Sequence, residues 1–328
     1  MKVGLYFDLR VPARSGLAPA RVYAHMLEMC EEAERAGIDS VWFSEHHRFD
    51  DGYLPQPLTA AAAVAARTRR IRIGTAVVVA PLHHPAEIAE QAAVVDLLSG
   101  GRLDLGLSGG YRVPELELYQ RSSAGRLDTT VEMARQLRTL WTGGATPAPV
   151  QSRLPIWLGF SGPRGARAAG LLGEGLLFLN PAQLTPYRQG LADGGHDPGG
   201  ARVSGPVFAL PSEDPERDWA QAREFIAYQQ DSYRRHSVEG MPVPPRRPFD
   251  AEDARTRPMS RPGYFWFDTP EALATRIRDS VAGLPVDTVF LWASVGGMPE
   301  DLVERNVSVI CQRLAPLLKT APCLHSDF

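Results

Sequence analysis

The sequence predicts a single (β/α)8 barrel, because segments of strand and helix character alternate along the whole chain. We count eight apolar runs of strand length between residues 3 and 294, and a helical pattern follows nearly every one. This alternation is typical of a parallel barrel with its helices outside, and 328 residues suit one such domain, 1–328. The alternative, an open doubly wound sheet, predicts a nucleotide fingerprint after the first strand, and GLYFDLRVPARSG contains none.

The amino-terminal part contains two strand–helix pairs. Val3–Leu9 is the first predicted strand, and the helix Ala20–Ala36 follows it and ends at a glycine. Ser40–Ser44 is a second short apolar strand. Pro57–Thr68 is an alanine-rich helix, whose small side chains require a close-packed neighbour.

Residues 71–110 form the clearest strand–helix–strand unit. Ile71–Ala80 is apolar and β-branched, as is typical of a strand buried on both faces. From Ala86 to Leu98 apolar residues recur at helical spacing, and Gly100-Gly101 end the helix because glycine reaches the left-handed C-cap without strain. Arg102–Ser108 is then a second strand, parallel to the first because a helix connects them.

The remaining chain continues the alternation to residue 318. Thr269-Pro270 predicts a helix start, with threonine as N-cap and proline at the first helical position. The other predicted strands are 155–160, 175–180, 203–210 and 288–294, and the other predicted helices are 127–141, 161–172, 182–192, 214–235 and 300–318.

Segment 237–268, between the seventh and eighth predicted strands, lacks any periodicity. It is rich in proline and arginine, and a loop of this length inside a domain is usually a lid or a linker. We predict a lid-like insertion, in which the aromatic run Tyr264-Phe265-Trp266-Phe267 could cover a substrate.

Composition and charge exclude several classes of protein. The net charge of −3, without a basic run that stands out, argues against nucleic acid or an anionic membrane as the main partner. No apolar run is long enough to span a bilayer, and the amino terminus does not resemble a signal peptide. The three cysteines, Cys30, Cys311 and Cys323, have no zinc-site or disulfide spacing, so we expect a cytoplasmic protein.

Glu45-His46-His47 follows the second predicted strand, at the end where a barrel builds its site. Histidine is the side chain best matched to proton transfer near neutral pH, although one of the two could merely hold the loop by hydrogen bonding. A metal site with His83 and His84 is the other interpretation. We predict no metal, because adjacent histidines on a strand point to opposite faces.

Two further clusters lie at predicted strand ends. Ala76–Pro81 offers a flat apolar wall, for which core filling is the simpler explanation from spacing alone. Ser161-Gly162-Pro163-Arg164 opens a helix, where free N–H groups, the helix dipole and an arginine favour phosphate. Capping of the helix explains the same pattern equally well.

SVWFSEHH and IGTAVVVAPLHHPAEIAEQAAVVDLLSGGRLDLGLSGGY resemble the bacterial luciferase-like flavin monooxygenase family, and PIWLGFSGPRGARAAGLLGEGLLF is similar to its phosphate-binding region after strand five. The resemblance covers most of residues 1–180 and falls to fold level beyond residue 200. It implies a (β/α)8 barrel, usually a homodimer, that binds reduced flavin mononucleotide (FMN) at the carboxyl ends of its strands.

The resemblance also implies roles for individual residues. His46, with Glu45, matches the catalytic position that handles protons beside the flavin. Ala76-Val77 matches the pair joined by a non-prolyl cis peptide under the isoalloxazine ring. In the loop after residue 107, Ser108 stands where luciferase has a reactive cysteine, Gly109 replaces an arginine that holds the flavin phosphate, and Tyr111 flanks the cofactor. Because of Gly109, phosphate binding is assigned to Ser161, Gly162, Pro163 and Arg164.

Three functions follow from the resemblance. The first is a monooxygenase that receives reduced FMN from a separate reductase and uses O2 to oxygenate a small organic substrate. The second is an oxidoreductase that uses the deazaflavin coenzyme F420, which the loss of arginine at Gly109 leaves open. The third is a flavin-binding protein without turnover, against which the presence of Glu45 and His46 argues.

Overall fold

The computed structural model describes residues 1–143 and 147–320 and contains a closed parallel barrel, as predicted. The strands are β1 Lys2–Phe7, β2 Ser40–Phe43, β3 Arg72–Thr75, β4 Val78–Val79, β5 Leu103–Ser108, β6 Ile156–Leu158, β7 Gly175–Leu176, β8 Val203–Val207, β9 Ala209–Pro211, β10 Trp266–Asp268 and β11 Val286–Trp292. In the main sheet they follow the order β3-β2-β1-β11-β8-β7-β6-β5-β4, and pairing of β3 with β5 closes the ring. β3 and β4 together therefore form one of the eight strands of the barrel. Two short strands, β9 and β10, form a separate sheet.

The helices surround the barrel, and two of their predicted ends are confirmed. Thr269 Oγ1 accepts the Ala272 N–H, and Gly100 adopts a left-handed φ of 67°. The helices are α1 Pro19–Arg35, α2 Pro57–Arg67, α3 Pro85–Ser99, α4 Val113–Leu118, α5 Arg126–Thr142, α6 Pro163–Leu171, α7 Leu184–Asp193, α8 Pro215–His236, α9 Ala251–Thr256, α10 Pro270–Ser280, α11 Glu300–Val309 and α12 Ala315–Thr320.

Two strands that were predicted as continuous are broken. The predicted strand 71–80 is interrupted at the Ala76–Val77 peptide bond, which is cis, as the resemblance implies. The predicted strand 203–210 divides at Phe208, because β8 pairs with β11 inside the barrel whereas β9 pairs with β10 outside it. A continuous apolar run in the sequence does not reveal that a strand changes its pairing partner, because both halves of the run are buried.

The prediction that segment 237–268 has no regular structure is wrong in part. It contains α9 and β10, and Phe265, Trp266 and Phe267 are at most 5% exposed. These three aromatic residues are therefore core residues of the insertion. An aromatic run of this kind favours a strand, which is the structure observed.

Tryptophan rings fill the barrel beneath its mouth, and glycines on neighbouring strands make room for them. A Cβ added to Gly74 would lie 2.2 Å from the Trp42 ring, and one added to Gly175 would lie 2.3 Å from the Trp157 ring. Trp42 stacks on Phe290 at 4.6 Å between ring centres. The barrel interior at this level is thus a packed core.

Two further sequence predictions concern the cysteines and membrane-spanning helices. Cys30 and Cys311 are buried free thiols, and Cys323 lies outside the described residues. Within residues 1–143 and 147–320, no helix is both long enough and apolar enough to cross a membrane.

Candidate active site

The carboxyl ends of β2, β3 and β5 bring three groups of predicted site residues together, namely 45–47, 76–77 and 108–111. The Glu45 N–H donates to the Val77 carbonyl at 3.1 Å, and the His46 and Tyr111 rings lie 5.8 Å apart. A Cβ added to Gly159 would lie 3.0 Å from Val77 and 3.3 Å from Ser108. These residues therefore share one mouth of the barrel. Ala76, Val77 and Ser108 are partly exposed there and form its small-residue floor.

Glu45 binds the histidines that flank the site and does not bind His46. Its fully buried carboxylate accepts hydrogen bonds from His47 Nε2 at 2.8 Å, His83 Nε2 at 2.7 Å and the Val79 N–H at 2.6 Å. Burial raises the pKa of Glu45, but these three hydrogen bonds outweigh it and hold the pKa below its ordinary value. Burial lowers the pKa of His83, and Glu45 outweighs that effect, so the His83 pKa is raised.

His46 is oriented by a carboxylate from another segment, Glu115 on α4. Glu115 Oε1 lies 3.2 Å from His46 Nδ1, accepts the His47 N–H at 3.0 Å and is 1% exposed. Because an ionised carboxylate only accepts, this contact places the imidazole proton on Nδ1 and leaves Nε2 of His46 as the basic nitrogen. Sequence reasoning missed Glu115, although Val113-Pro114-Glu115 has the proline and acid of a helix's first turn.

A shell of aromatic rings surrounds His46. The ring of His46 lies 4.6 Å from Tyr53, 5.1 Å from Phe49 and 5.9 Å from Tyr233. The hydroxyls of Tyr53 and Tyr233 are 2.5 Å apart, and burial raises the pKa of Tyr53 to about 12, so its hydroxyl keeps its proton. Arg10 stacks on both tyrosines and pairs with Asp8, behind this shell. None of these residues was predicted.

Arg112 connects the site to the insertion 237–268. Its guanidinium donates to Glu239 Oε2 at 2.6 and 2.9 Å and also to the carbonyls of His47 and Arg48. His236 Nδ1 lies 2.6 Å from the same Glu239 oxygen. The start of the insertion is therefore attached to the loop that carries His46.

The predicted phosphate cluster lies at the start of α6, and only some of its groups are available. Arg164 is exposed and pairs with Asp128 at 3.1 Å, and Ser161 is also exposed. In the amide orientation that satisfies its neighbours, Gln183 accepts the Gly162 N–H at 2.6 Å. Pro163 is the first residue of the helix and has no N–H to offer.

A second arginine, Arg126, lies beside the loop after β5. It is the first residue of α5, is partly buried, and donates from Nη1 to the Gly110 carbonyl at 2.9 Å. A Cβ added to Gly109 would lie 3.0 Å from Arg126 Cβ. Arg126 thus occupies the space beside Gly109, the residue that replaces the family's phosphate-binding arginine. No sequence signal connects the two positions.

The family follows from comparison with known proteins. The model of the luciferase-like monooxygenase family matches residues 1–285. The chain belongs to this family. It is therefore a luciferase-like enzyme.

Relatives of this luciferase-like enzyme use both kinds of cofactor according to their names. The oxygenase component of a flavin-dependent trigonelline monooxygenase from Acinetobacter baylyi is 33% identical over 165 residues, 44% of each chain. An F420-dependent glucose-6-phosphate dehydrogenase from Amycolatopsis mediterranei is 32% identical over 183 residues, 49% of this chain and 55% of that one. The chain thus spans about half the length of the curated relatives it matches.

Solved structures support the luciferase-like barrel over its whole length. The monooxygenase RslO1 from Streptomyces bottropensis has a TM-score of 0.78 and 23% identity, covering 96% of this chain and 99% of that one. At that identity the likeness establishes the fold, and the chemistry has to be argued from the residues of this chain.

Proposed function

We propose that this enzyme is a monooxygenase that receives reduced FMN from a separate reductase and uses O2 to oxygenate a small organic substrate. The proposal rests on the mouth of the barrel, where the partly exposed floor of Ala76, Val77 and Ser108 lies near the His46 imidazole. Glu115 holds that imidazole in one tautomer. The Acinetobacter baylyi relative, named as an oxygenase component, supports the division between oxygenase and reductase.

The residues at the mouth fit a flat tricyclic ring with a phosphate tail. Ala76, Val77 and Ser108 offer a floor without long side chains, and Gly109 and Gly110 continue it toward Arg126. The hydroxyl of Tyr111 is buried without a hydrogen-bond partner in the described part of the chain, so it is available to a ring heteroatom. We assign the phosphate to Arg126, supported by Ser161 and Arg164, because a bidentate arginine is the strongest donor for phosphate.

Bound reduced FMN would supply the electrons that activate O2, and the protein would supply proton handling and exclusion of water. We assign proton transfer to Nε2 of His46, since Glu115 holds Nδ1. Glu45 acts as a positioning residue, because its contacts fix His47, His83 and the backbone of β4 around the floor. The aromatic shell of Tyr53 and Tyr233 excludes water from the imidazole.

F420 remains the second candidate cofactor, favoured by the lack of a side chain at Gly109 and by the dehydrogenase relatives. Calorimetric titration with reduced FMN and with reduced F420, followed by oxygen uptake, separates the two. We expect tighter binding of reduced FMN and consumption of O2. Tighter binding of F420 without O2 consumption would establish the alternative, and unaided consumption of NADH would contradict the need for a reductase.

The variant His46→Ala separates an enzyme from a flavin store, with the exposed residue His84 as the control. We expect His46→Ala to retain FMN and to lose oxygen-dependent turnover, whereas His84→Ala keeps both. If His46→Ala leaves every activity unchanged, the protein is a binding protein and not a catalyst.

We also propose a homodimer through α2 and α3. The outer face of α3 exposes Val94, Leu97 and Leu98 by 43 to 55%, beside the exposed residues Ala63 and Ala66 of α2. Exposed apolar side chains grouped on one helix face are typical of an interface, and the small side chains of α2 permit close approach of a second helix pair.

A further inference from the structure

A cavity lies between one side of α8 and the proline-rich stretch 243–248 of the insertion. Its volume is about 490 Å³. Tyr228 and Ser232 line it from the helix, and Val243 and Pro245 line it from the insertion. None of the described residues that line it belongs to a barrel strand or to the floor of the mouth. The cavity is therefore distinct from the candidate active site.

Three arginines line this cavity, two from α8 and one from the insertion. Arg234 and Arg235 lie in the last turn of α8, where a cation also stabilises the negative end of the helix dipole. Arg234 donates from Nε to the Arg247 carbonyl at 2.9 Å, and Arg235 lies 3.6 Å from the exposed Asp50 carboxylate. Arg246 comes from the insertion, so the dipole does not explain its position, and it forms no ion pair within the described part of the chain.

The two carboxylates that line the cavity are bound by other groups. Asp231 Oδ1 accepts the Phe249 N–H at 2.5 Å, and Glu239 Oε2 accepts the Arg112 guanidinium at 2.6 Å. Because Arg112 neutralises Glu239 from outside the cavity, the three arginines of the wall are opposed by one uncompensated carboxylate. The wall therefore favours an anion over a cation.

The hydroxyl of Ser232 is a further donor in the wall. Ser232 is 4% exposed, and its Oγ has no hydrogen-bond partner among residues 1–143 and 147–320. Buried hydroxyls in proteins nearly always have a partner, so an unpaired one that lines a cavity points to a group that binds there. Guanidinium groups together with a hydroxyl are the donors that suit a phosphate, which has several oxygen acceptors.

We propose that this cavity is a second ligand site, which binds the phosphate group of a small organic phosphate ester. Arg234, Arg246 and the Ser232 hydroxyl donate to the phosphate oxygens. The cavity is several times larger than a phosphate group, and the side chains of Tyr228 and Val243 provide apolar surface for the organic part of the ester. This site does not depend on whether the mouth binds FMN or F420, because the floor of the mouth contributes nothing to it.

The test measures binding of phenyl phosphate to the full chain by calorimetry, with the neutral compound phenol for comparison. We expect phenyl phosphate to bind at least about tenfold more tightly than phenol, because the arginines supply the counter-charge. Arg246→Gln should weaken phenyl phosphate binding about tenfold or more, and Ser232→Ala about fivefold. Two control variants should leave it unchanged. Arg261→Gln alters an exposed arginine of the same insertion that does not line the cavity, and Arg126→Gln alters the proposed phosphate site at the mouth.

Wild-type affinity for phenyl phosphate in Arg246→Gln or in Ser232→Ala would overturn the second site, and so would equal affinity for phenyl phosphate and phenol. Loss of binding in Arg126→Gln would place the phosphate at the mouth and would also overturn it. Melting temperatures of all four variants control for folding. Sedimentation with phosphatidylglycerol vesicles tests a lipid headgroup as the source of the phosphate. Vesicle binding that Arg246→Gln abolishes, without binding of phenyl phosphate, would replace the small ester by a membrane surface.

Discussion

Replacing Glu115 by glutamine tests whether this buried carboxylate holds His46. Glutamine keeps the shape of the side chain but removes the charge that accepts hydrogen bonds from His46 and from the His47 backbone. A hydrogen bond to a charged group contributes about 1.5–3 kcal/mol, against about 0.5–1.5 kcal/mol for a neutral one. Two such bonds therefore predict a loss of about 2–3 kcal/mol in the free energy of unfolding.

The matched control is Glu117→Gln, two residues away on the exposed side of α4. An exposed substitution of this kind changes the unfolding free energy by no more than about 0.5 kcal/mol. Urea unfolding of both variants and of the wild type measures the difference. Nitrogen-15 NMR of labelled histidine reports the tautomer, and we expect the His46 proton on Nδ1 in the wild type and a mixture in Glu115→Gln.

Equal unfolding free energies for the two glutamine variants would refute the positioning role of Glu115. A wild-type His46 that carries its proton on Nε2 would refute it independently, because Nδ1 could not then donate to the carboxylate. The control variant should retain the wild-type tautomer in either case.

Three further predictions concern the phosphate site, the dimer interface and the Glu45–His83 pair. Arg126→Gln should weaken FMN binding about tenfold or more in calorimetry, because one charge-assisted hydrogen bond to phosphate is lost. Arg121→Gln, at an exposed position, should leave FMN binding unchanged. Equal FMN affinities of the two variants would show that Arg126 does not bind the phosphate. Leu98→Glu should convert a dimer into a monomer in light scattering, and a monomeric wild type would contradict the interface. Glu45, whose folded pKa is lowered, stabilises the protein above its ordinary pKa of 4.5 and loses this effect as pH falls through the lowered pKa. His83, whose folded pKa is raised, stabilises the protein fully below its ordinary pKa of 6.5 and loses this effect as pH rises through the raised pKa. The difference in unfolding free energy between wild type and Glu45→Gln should therefore be largest between pH 4.5 and 6.5. A pH-independent difference would contradict the pairing of Glu45 with His83.

The barrel was predictable because each of its strands and helices has a local sequence pattern, and the two patterns alternate along the chain. The apolar run 71–80 and the helix after it required only side-chain periodicity, and the glycine pair at 100–101 marked the helix end. Where a strand changes its partner, as at Phe208, periodicity carries no information, since both partners bury it equally.

The candidate site was predictable only where it follows a strand directly. His46 lies at the end of β2, and its position could be inferred from the topology of a barrel. Glu115 and Arg126 reach the mouth from α4 and α5, and their partners are 69 and 16 residues away in the chain. Such contacts depend on how the helices pack, which neither composition nor spacing encodes.

Charge is distributed unequally around the barrel mouth. On the β2–β5 side, carboxylates, histidines and Arg112 form a hydrogen-bonded network around His46. On the β7–β8 side, the residues that follow the two strands at the mouth include Phe178, Leu179 and Phe208, which are apolar. Phe208 packs against Trp292, and Trp292 stacks on Tyr6, whose hydroxyl donates to the carbonyl of Ala76 in the floor. Substitutions on the β7–β8 side can therefore change the shape of the mouth while the charges that position the imidazole stay unaltered.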